Sequence, residues 1–158
     1  MENIPATVSA VFQVFPSLVA EASKFVHKEQ AHIDDPNHTL YVAQKEYVVV
    51  NQNETQLLAV GSDDATTCHI VIIHNKQHGL FSVAHIDSAD NIEGLMRIVA
   101  DTVGDAEDDE NLILDLYMVG GYSDERCSSE LLTLELLHFY NELPVIFKLC
   151  LLCVGEIN

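Results

Sequence analysis

The stretch Cys68–Ile86, CHIVIIHNKQHGLFSVAHI, decides the architecture. Two runs rich in Ile, Val and Phe flank a short polar segment, the pattern of two strands joined by a tight turn. Side chains alternate between faces along a strand, so Cys68, Ile70 and Ile72 share one face with Phe81, Val83 and His85. With Asn75–His78 as the loop and pairing symmetric about Lys76–Gln77, paired numbers sum to 153 and Cys68 stands directly across from His85. Directly opposed residues have Cβ atoms about 4.5–5.5 Å apart. The aliphatic residues of that face are expected to be buried, with the polar pair at the open strand ends.

Outward from the hairpin the chain alternates between periods of 3.6 and 2. Upstream, FPSLVAEASKFVHKEQAHI carries Leu18, Ala22, Phe25 and Val26 at helical spacing, with Pro16 at the start. LYVAQKEYVVV and QLLAV read as strands. Downstream, SADNIEGLMRIVADTV resumes the helical period through Ile92, Leu95, Ile98 and Val99. LILDLYMV is a strand, GDAEDDEN an acidic loop, ELLTLELLHFY a helix and VIFKLCLLCVGEI a final strand. Ser123 is the expected cap of the helix before that strand, with Asp124 and Glu125 favouring a helix start. The fold class is α+β, a mostly antiparallel sheet packed with helices. The chain reads as a single domain over residues 1–158, and as an incomplete one, because its last strand meets the C-terminus without a capping element.

Composition narrows the partners. Seven Lys and Arg stand against 25 Asp and Glu, a formal charge of −18. Phosphate binding needs clustered cations, so nucleic acid and anionic membrane are excluded as direct partners. No apolar run reaches the roughly 18 residues of a membrane helix, and the start lacks a basic secretory leader. A cytoplasmic monomer is expected, with the nucleus as an alternative location. In a chain of that compartment four cysteines are poor evidence for disulfides. Residues three apart on a strand face opposite ways, so Cys150 and Cys153 read as packed core thiols.

Chemistry leaves two readings of Cys68. One is a structural thiol. The other is the nucleophile of a cysteine hydrolase, its thiolate favoured by a His85 imidazolium. In the second reading the loop Gly61–Thr67 supplies backbone N–H groups for an oxyanion, and Ser62, Thr66, Thr67 or Asp87 orients the imidazole. A zinc site from Cys68, His69, His74, His78 and His85 matches no standard ligand spacing. No metal or other cofactor is expected. In VGGYSDER the glycines permit close approach of a peptide backbone, and Ser123 and Asp124 either face that peptide or open a helix.

Four segments together are recognisable: GSDDATTCHIVI, the HID of His85–Asp87, VGGYSDER and LCVGEIN. They resemble the protein N-terminal asparagine amidohydrolase family over roughly Leu40–Asn158. The resemblance implies hydrolysis of the side-chain amide of an N-terminal asparagine to aspartate and ammonia. The substrates are then N-terminal Asn peptides and proteins, and the product feeds the arginine branch of the N-degron pathway. It also implies that Cys68 is the nucleophile. A more distant likeness to chemoreceptor glutamine deamidases implies a Cys–His sandwich with His85 as partner and a hydroxyl at Ser62. An acidic side chain must meet the substrate ammonium, and Asp63, Asp64, Asp87 and Asp124 are the candidates. Thr67, Gly121 and Ser123 complete the expected substrate-binding set. Family members continue beyond LCVGEIN, so a C-terminally truncated form is expected. Two alternatives stand beside the leading reading: an inactive module that only binds peptides or proteins, and a deamidase of internal Gln or Asn.

Overall fold

A computed structural model describes residues 4–29, 35–106, 109 and 111–155. Helix α1 (Val8–Val14) starts at Thr7, whose hydroxyl accepts from the Ala10 N–H. Helix α2 (Pro16–Val26) follows after the single residue Phe15. Pro16 opens α2 because the first turn of a helix needs no N–H at that position. The expected helix thus begins where proposed but ends at Val26, and α1 was not foreseen. Residues 30–33 of that expected helix lie outside the described residues.

Two short strands, β1 (Thr39–Tyr41) and β3 (Ala59–Gly61), pair in parallel. Between them in sequence lies β2 (Tyr47–Asn51), an edge strand of the main sheet. The other members are β4 (His69–Asn75), β5 (Leu80–Ile86), β6 (Ile113–Gly120) and β7 (Ile146–Cys153), in the spatial order β2-β5-β4-β6-β7. All neighbours are antiparallel except β6 and β7. A parallel pair needs a long crossover, and helix α4 (Ser128–Glu142) supplies it. Helix α3 (Ile92–Val103) links β5 to β6, and Asn91 caps it by accepting from the Gly94 N–H. The expected α+β layering with a mostly antiparallel sheet is what the chain adopts.

The sheet has two unequal faces. On the inner face Val71, Ile73, Ala84, Ile86, Leu114, Leu116, Met118 and Leu152 join Leu95, Ile98 and Val99 of α3 and Leu132, Leu136 and Leu137 of α4 in the main core. Helix α1 adds Val8 and Val11. Burial of such aliphatic side chains contributes about 1.5–3 kcal/mol each, so this face carries the stability. The outer face holds Cys68, Ile70, Ile72, His85, Tyr117, Val119, Leu151 and Cys153. Only Ala22 of α2 reaches its core, packing with Leu151 and Cys153 at the β7 edge. Ile70 and Ile72 are therefore only half-buried, contrary to the expectation that they sit in the interior.

The last strand also departs from simple alternation. The β6–β7 register shifts between Leu116 and Tyr117, so that Leu149 and Leu151 are successive partners and Cys150 is the extra residue. A bulge puts an additional side chain out of phase. Cys150 accordingly sits against Asp115 and Tyr117 on the outer face, where Cys153 also lies, rather than opposite it. Neither thiol is in a disulfide. Among the described residues no helix is long and apolar enough to cross a membrane.

Leu136 is fully buried under the sheet and Leu131, on the same helix, is more than half exposed. Leu136→Ala is expected to cost about 2–5 kcal/mol, while Leu131→Ala should stay within about 0.5 kcal/mol. Urea denaturation of the two variants measures the difference, and equal midpoints would contradict the assignment of the core face.

Candidate active site

Cys68 immediately precedes β4, so the pairing of β4 decides what it meets. The register sets His69 against Ile86 and Ile70 against His85, and paired numbers sum to 155 rather than 153. The closing pair is Asn75–Leu80, with Lys76–Gly79 as the loop. Asn75 is the reason. Its buried amide donates to the carbonyls of Thr102 and Val103 at 3.2 Å each, and its Oδ1 accepts from the His78 N–H. A residue expected in the loop is thereby a fixed strand end, and Gly79, at φ +68°, makes the turn. Cys68 consequently does not stand opposite His85. Continued by one residue, the register places it opposite Asp87, with His85 on the diagonal. A change of two in the sum preserves parity, so Cys68 and His85 still share the outer face. Diagonal neighbours lie about 7–8 Å apart, within reach of a long or aromatic side chain.

The imidazole is held from both backbone and side chain. The His85 N–H donates to the Glu46 carbonyl and the Lys45 N–H to the His85 carbonyl, at 3.0 and 2.9 Å. This straps β5 to the turn between β1 and β2. Strand β3 pairs with β1, the Val42 N–H donates to the Gly61 carbonyl, and the next residue is Ser62. The Ser62 hydroxyl lies 2.8 Å from His85 Nδ1. His85 is 4% exposed, and its Nε2 is buried with no hydrogen-bond partner among the described residues. One ring nitrogen is fixed while the other is left without a partner. A short sheet that looks peripheral is what brings the hydroxyl to the histidine.

Cys68 is 8% exposed. Burial pushes its thiol up, and the Asp87 charge adds to this; a hydrogen bond with Thr67 and the charge of Lys45 oppose it and lose. The resting group is thus a thiol, not the thiolate expected beside an imidazolium. Asp87 itself accepts from Gln44 Nε2 at 2.9 Å and pairs with Lys45 Nζ at 3.2 Å. Burial works to raise its pKa, but these contacts outweigh it and hold the carboxylate below its usual range. Orientation of His85 falls to Ser62, and Asp87 is engaged with Gln44 and Lys45. Neither partner of Asp87 was singled out in the sequence, where LYVAQKEYVVV reads as one strand; the structure divides it into β1 and β2, with Gln44 and Lys45 in the turn between them.

The other expected site residues divide into two groups. Asp63, Asp64 and Thr67 are exposed on the loop leading to Cys68. Asp63 accepts from the Tyr41 hydroxyl at 2.6 Å, and Asp64 takes a left-handed backbone at φ +53°. Gly121, Ser123 and Asp124 instead line a cleft of about 640 Å³ between α1 and the first turn of α4, with Phe12, Glu130 and Thr133. Neither Cys68 nor His85 lines it. His85 and Asp87 border a smaller cavity of about 330 Å³, shared with Lys45, Glu46 and Asn91. Cys68 lines neither space, and the smaller one also reaches Ala84, Ile86, Leu95 and Ile98 of the inner face.

Asp124, not Ser123, caps α4. Its carboxylate accepts from the N–H groups of Arg126, Ser128 and Ser129. The N–H groups of Ser129 and Ser128 pull its pKa down to about 2. Ser123 is exposed and Cys127 is the residue flanking the helix, in a left-handed conformation at φ +53°. Among the described residues no three His, Cys, Asp or Glu side chains converge to hold a metal ion.

The family model described as protein N-terminal asparagine amidohydrolase matches residues 28–158. This chain belongs to that family. It is 30% identical over 156 residues to the mouse protein N-terminal asparagine amidohydrolase and 29% to the pig protein of that name. Each comparison covers 99% of this chain and 50% of the relative. An *Arabidopsis thaliana* member of the family is 40% identical over 86 residues, 54% of this chain and 23% of its own. The chain thus spans about half the length of the mouse and pig relatives it matches, and the family match begins upstream of Leu40, where the motif resemblance starts.

Alkylation measures the state of Cys68 directly. In the substrate-free protein, iodoacetamide labelling of Cys68, followed by peptide mapping, should titrate with a midpoint above the ordinary thiol value of about 8.5. Asp87→Asn removes a negative charge and should lower that midpoint; Lys45→Met should raise it. A midpoint below about 8 in the wild type would contradict the buried-thiol description.

Proposed function

We propose that this chain is a cysteine amidase that converts an N-terminal asparagine into aspartate with release of ammonia. The observation that carries the reading is the Ser62–His85 hydrogen bond on the face that also bears Cys68, in a chain of this family. The mouse and pig relatives are named for the same reaction.

His85 takes the Cys68 proton at Nε2, which requires the tautomer whose Nδ1–H donates to Ser62 Oγ. The sulfur attacks the side-chain carboxamide carbon, forming a C–S bond and a tetrahedral oxyanion. Backbone N–H groups flanking Cys68 hold that oxyanion. The C–N bond breaks as His85 returns the proton to the leaving nitrogen, and ammonia departs from a thioester. Water then gives its proton to His85 and attacks the thioester, and the thiol is restored with an aspartate product. The N-terminal aspartate so formed is the kind of residue that arginylation takes up in the N-degron pathway.

Asp87 is the carboxylate we assign to the substrate ammonium. It is nearest to Cys68 in register, borders the cavity beside His85, and its charge is felt by the thiol. An ammonium there adds to the Lys45 charge and offsets the part of the thiol's raised pKa that comes from Asp87, the larger part coming from burial. Substrates with a free N-terminus thereby favour the thiolate they need, and internal amides do not.

Matched peptides beginning with Asn, beginning with Gln, or carrying Asn internally test the assignment through ammonia release. Turnover should be confined to N-terminal Asn, should fall at least about 10³-fold in Cys68→Ala and about 10²–10⁴-fold in His85→Ala. Asp87→Asn should raise KM for the Asn peptide. Release from internal amides would replace the reading with a general deamidase, and binding of the Asn peptide without turnover by folded protein would leave only a binding module.

A further inference from the structure

His69 lies on the inner face, directly beside Cys68 in the chain and fully buried. Its Nε2 is 2.6 Å from the Thr133 hydroxyl of α4, and that hydroxyl donates its one proton to the Ser129 carbonyl at 2.9 Å. The Thr133 oxygen can then only accept from the ring, so His69 is the neutral tautomer protonated at Nε2. Burial, which lowers its pKa to about 4, keeps it neutral. Nδ1 is left a buried acceptor with no partner among the described residues.

The Gly120–Gly121 pair closes over the same two residues. A Cβ on Gly120 (φ +109°) would stand 2.8 Å from the Cys68 carbonyl oxygen, and one on Gly121 (φ +73°) would stand 2.6 Å from His69 Cε1. The Tyr122 N–H donates to the Thr66 carbonyl at 2.7 Å, and the Ser129 hydroxyl donates to the Tyr122 carbonyl. The loop before Cys68, the glycine pair and the first turn of α4 are thus one block, and His69 is the side chain at its centre.

An unpaired buried nitrogen is a cost that an aliphatic residue would avoid, and its inner-face neighbours on β4, Val71 and Ile73, are aliphatic. What histidine alone supplies at this place is a directed hydrogen bond from the start of β4 to α4. We propose that His69 is a positioning residue for the amidase reaction: clamped between Gly121 and Thr133, it fixes the Cys68–His69 backbone and so aims the thiol on the opposite face. This rests on Cys68 being the nucleophile. It also accounts for VGGYSDER without a direct contact to substrate, since both glycines are demanded by residues 68 and 69.

The variants are His69→Leu, which keeps volume but no hydrogen bond, His69→Gln, whose amide N–H reaches toward Thr133, and Thr133→Val, which removes the acceptor. Two readouts are taken on each at a matched folded fraction set by urea denaturation: kcat and KM on the Asn peptide, and the rate of Cys68 alkylation. His69→Leu should lower kcat by about 10–10²-fold with KM within about twofold, as expected for a misplaced reacting group. Thr133→Val should do the same, the double variant should be no worse than either alone, and His69→Gln should recover most of the loss. Cys68 alkylation should change in His69→Leu and return toward wild type in His69→Gln. Unchanged kcat and unchanged alkylation in folded His69→Leu and Thr133→Val would overturn the proposal. A wild type inactive on Asn peptides whose Cys68 alkylation nonetheless follows this pattern would overturn the amidase reading and leave the positioning role standing.

Discussion

Strand β4 is hydrogen-bonded along both edges, to β5 on one side and β6 on the other. It is the central strand of the five, and the two-residue period of a strand then does the sorting. His69, Val71, Ile73 and Asn75 go to the helical side; Cys68, Ile70, Ile72 and His74 go to the other. A strand fixed at both edges cannot slip by one residue without exchanging every side chain between faces. The consequence for chemistry is that Cys68 and His85 cannot be separated from the core that holds them. Asn75 pins one end of β4 to the C-terminal turn of α3, and His69 pins the other to α4. Between those two anchors the inner face of the strand carries only the aliphatic residues Val71 and Ile73.

This division separates stability from function. The main core buries large aliphatic side chains of all four α-helices, and among the described residues the outer-face core is Ala22 of α2 with Leu151 and Cys153 of β7. A buried thiol beside a carboxylate, and an imidazole with an unpartnered nitrogen, are each costly placements. They are tolerated here because the opposite face of the same strands supplies the compensating burial. Burial is the larger cause of the raised thiol pKa; the Asp87 charge adds to it and the Lys45 charge opposes it.

Much of this was legible in the residues, and the failures have physical causes. The hairpin, α3, α4 and the terminal strands announce themselves through period and turn chemistry. The match of GSDDATTCHIVI to one family pointed to Cys68, and the sharing of a face by Cys68 and His85 follows from parity alone. The register did not follow, because it depends on Asn75 bonding to carbonyls of α3, a contact about thirty residues away in sequence that no local pattern encodes. Helix α1 went unseen because its seven residues bury only two side chains, Val8 and Val11, too few to establish a period. The bulge at Cys150 and the capping role of Asp124 are likewise set by long-range register and by a turn geometry that favours the residue three before Cys127. His69 was readable as a buried histidine once β4 was known to be covered on its inner face, but its partner Thr133 was not.

Ser62 shows best how the site is assembled. It belongs to no element of the main sheet, and its only route to His85 is the three-residue pairing of β1 with β3. That pairing is too small to stand alone. It is held because the turn after β1 exchanges backbone hydrogen bonds with His85 itself. The histidine thus helps to build the strand pair that delivers its own orienting hydroxyl. Cys68, His85 and Ser62, the proposed nucleophile, imidazole and hydroxyl, all lie within residues 62–85, a stretch whose backbone pairing is completed within the described chain. The remaining length of the mouse and pig relatives therefore need not supply any of these three groups.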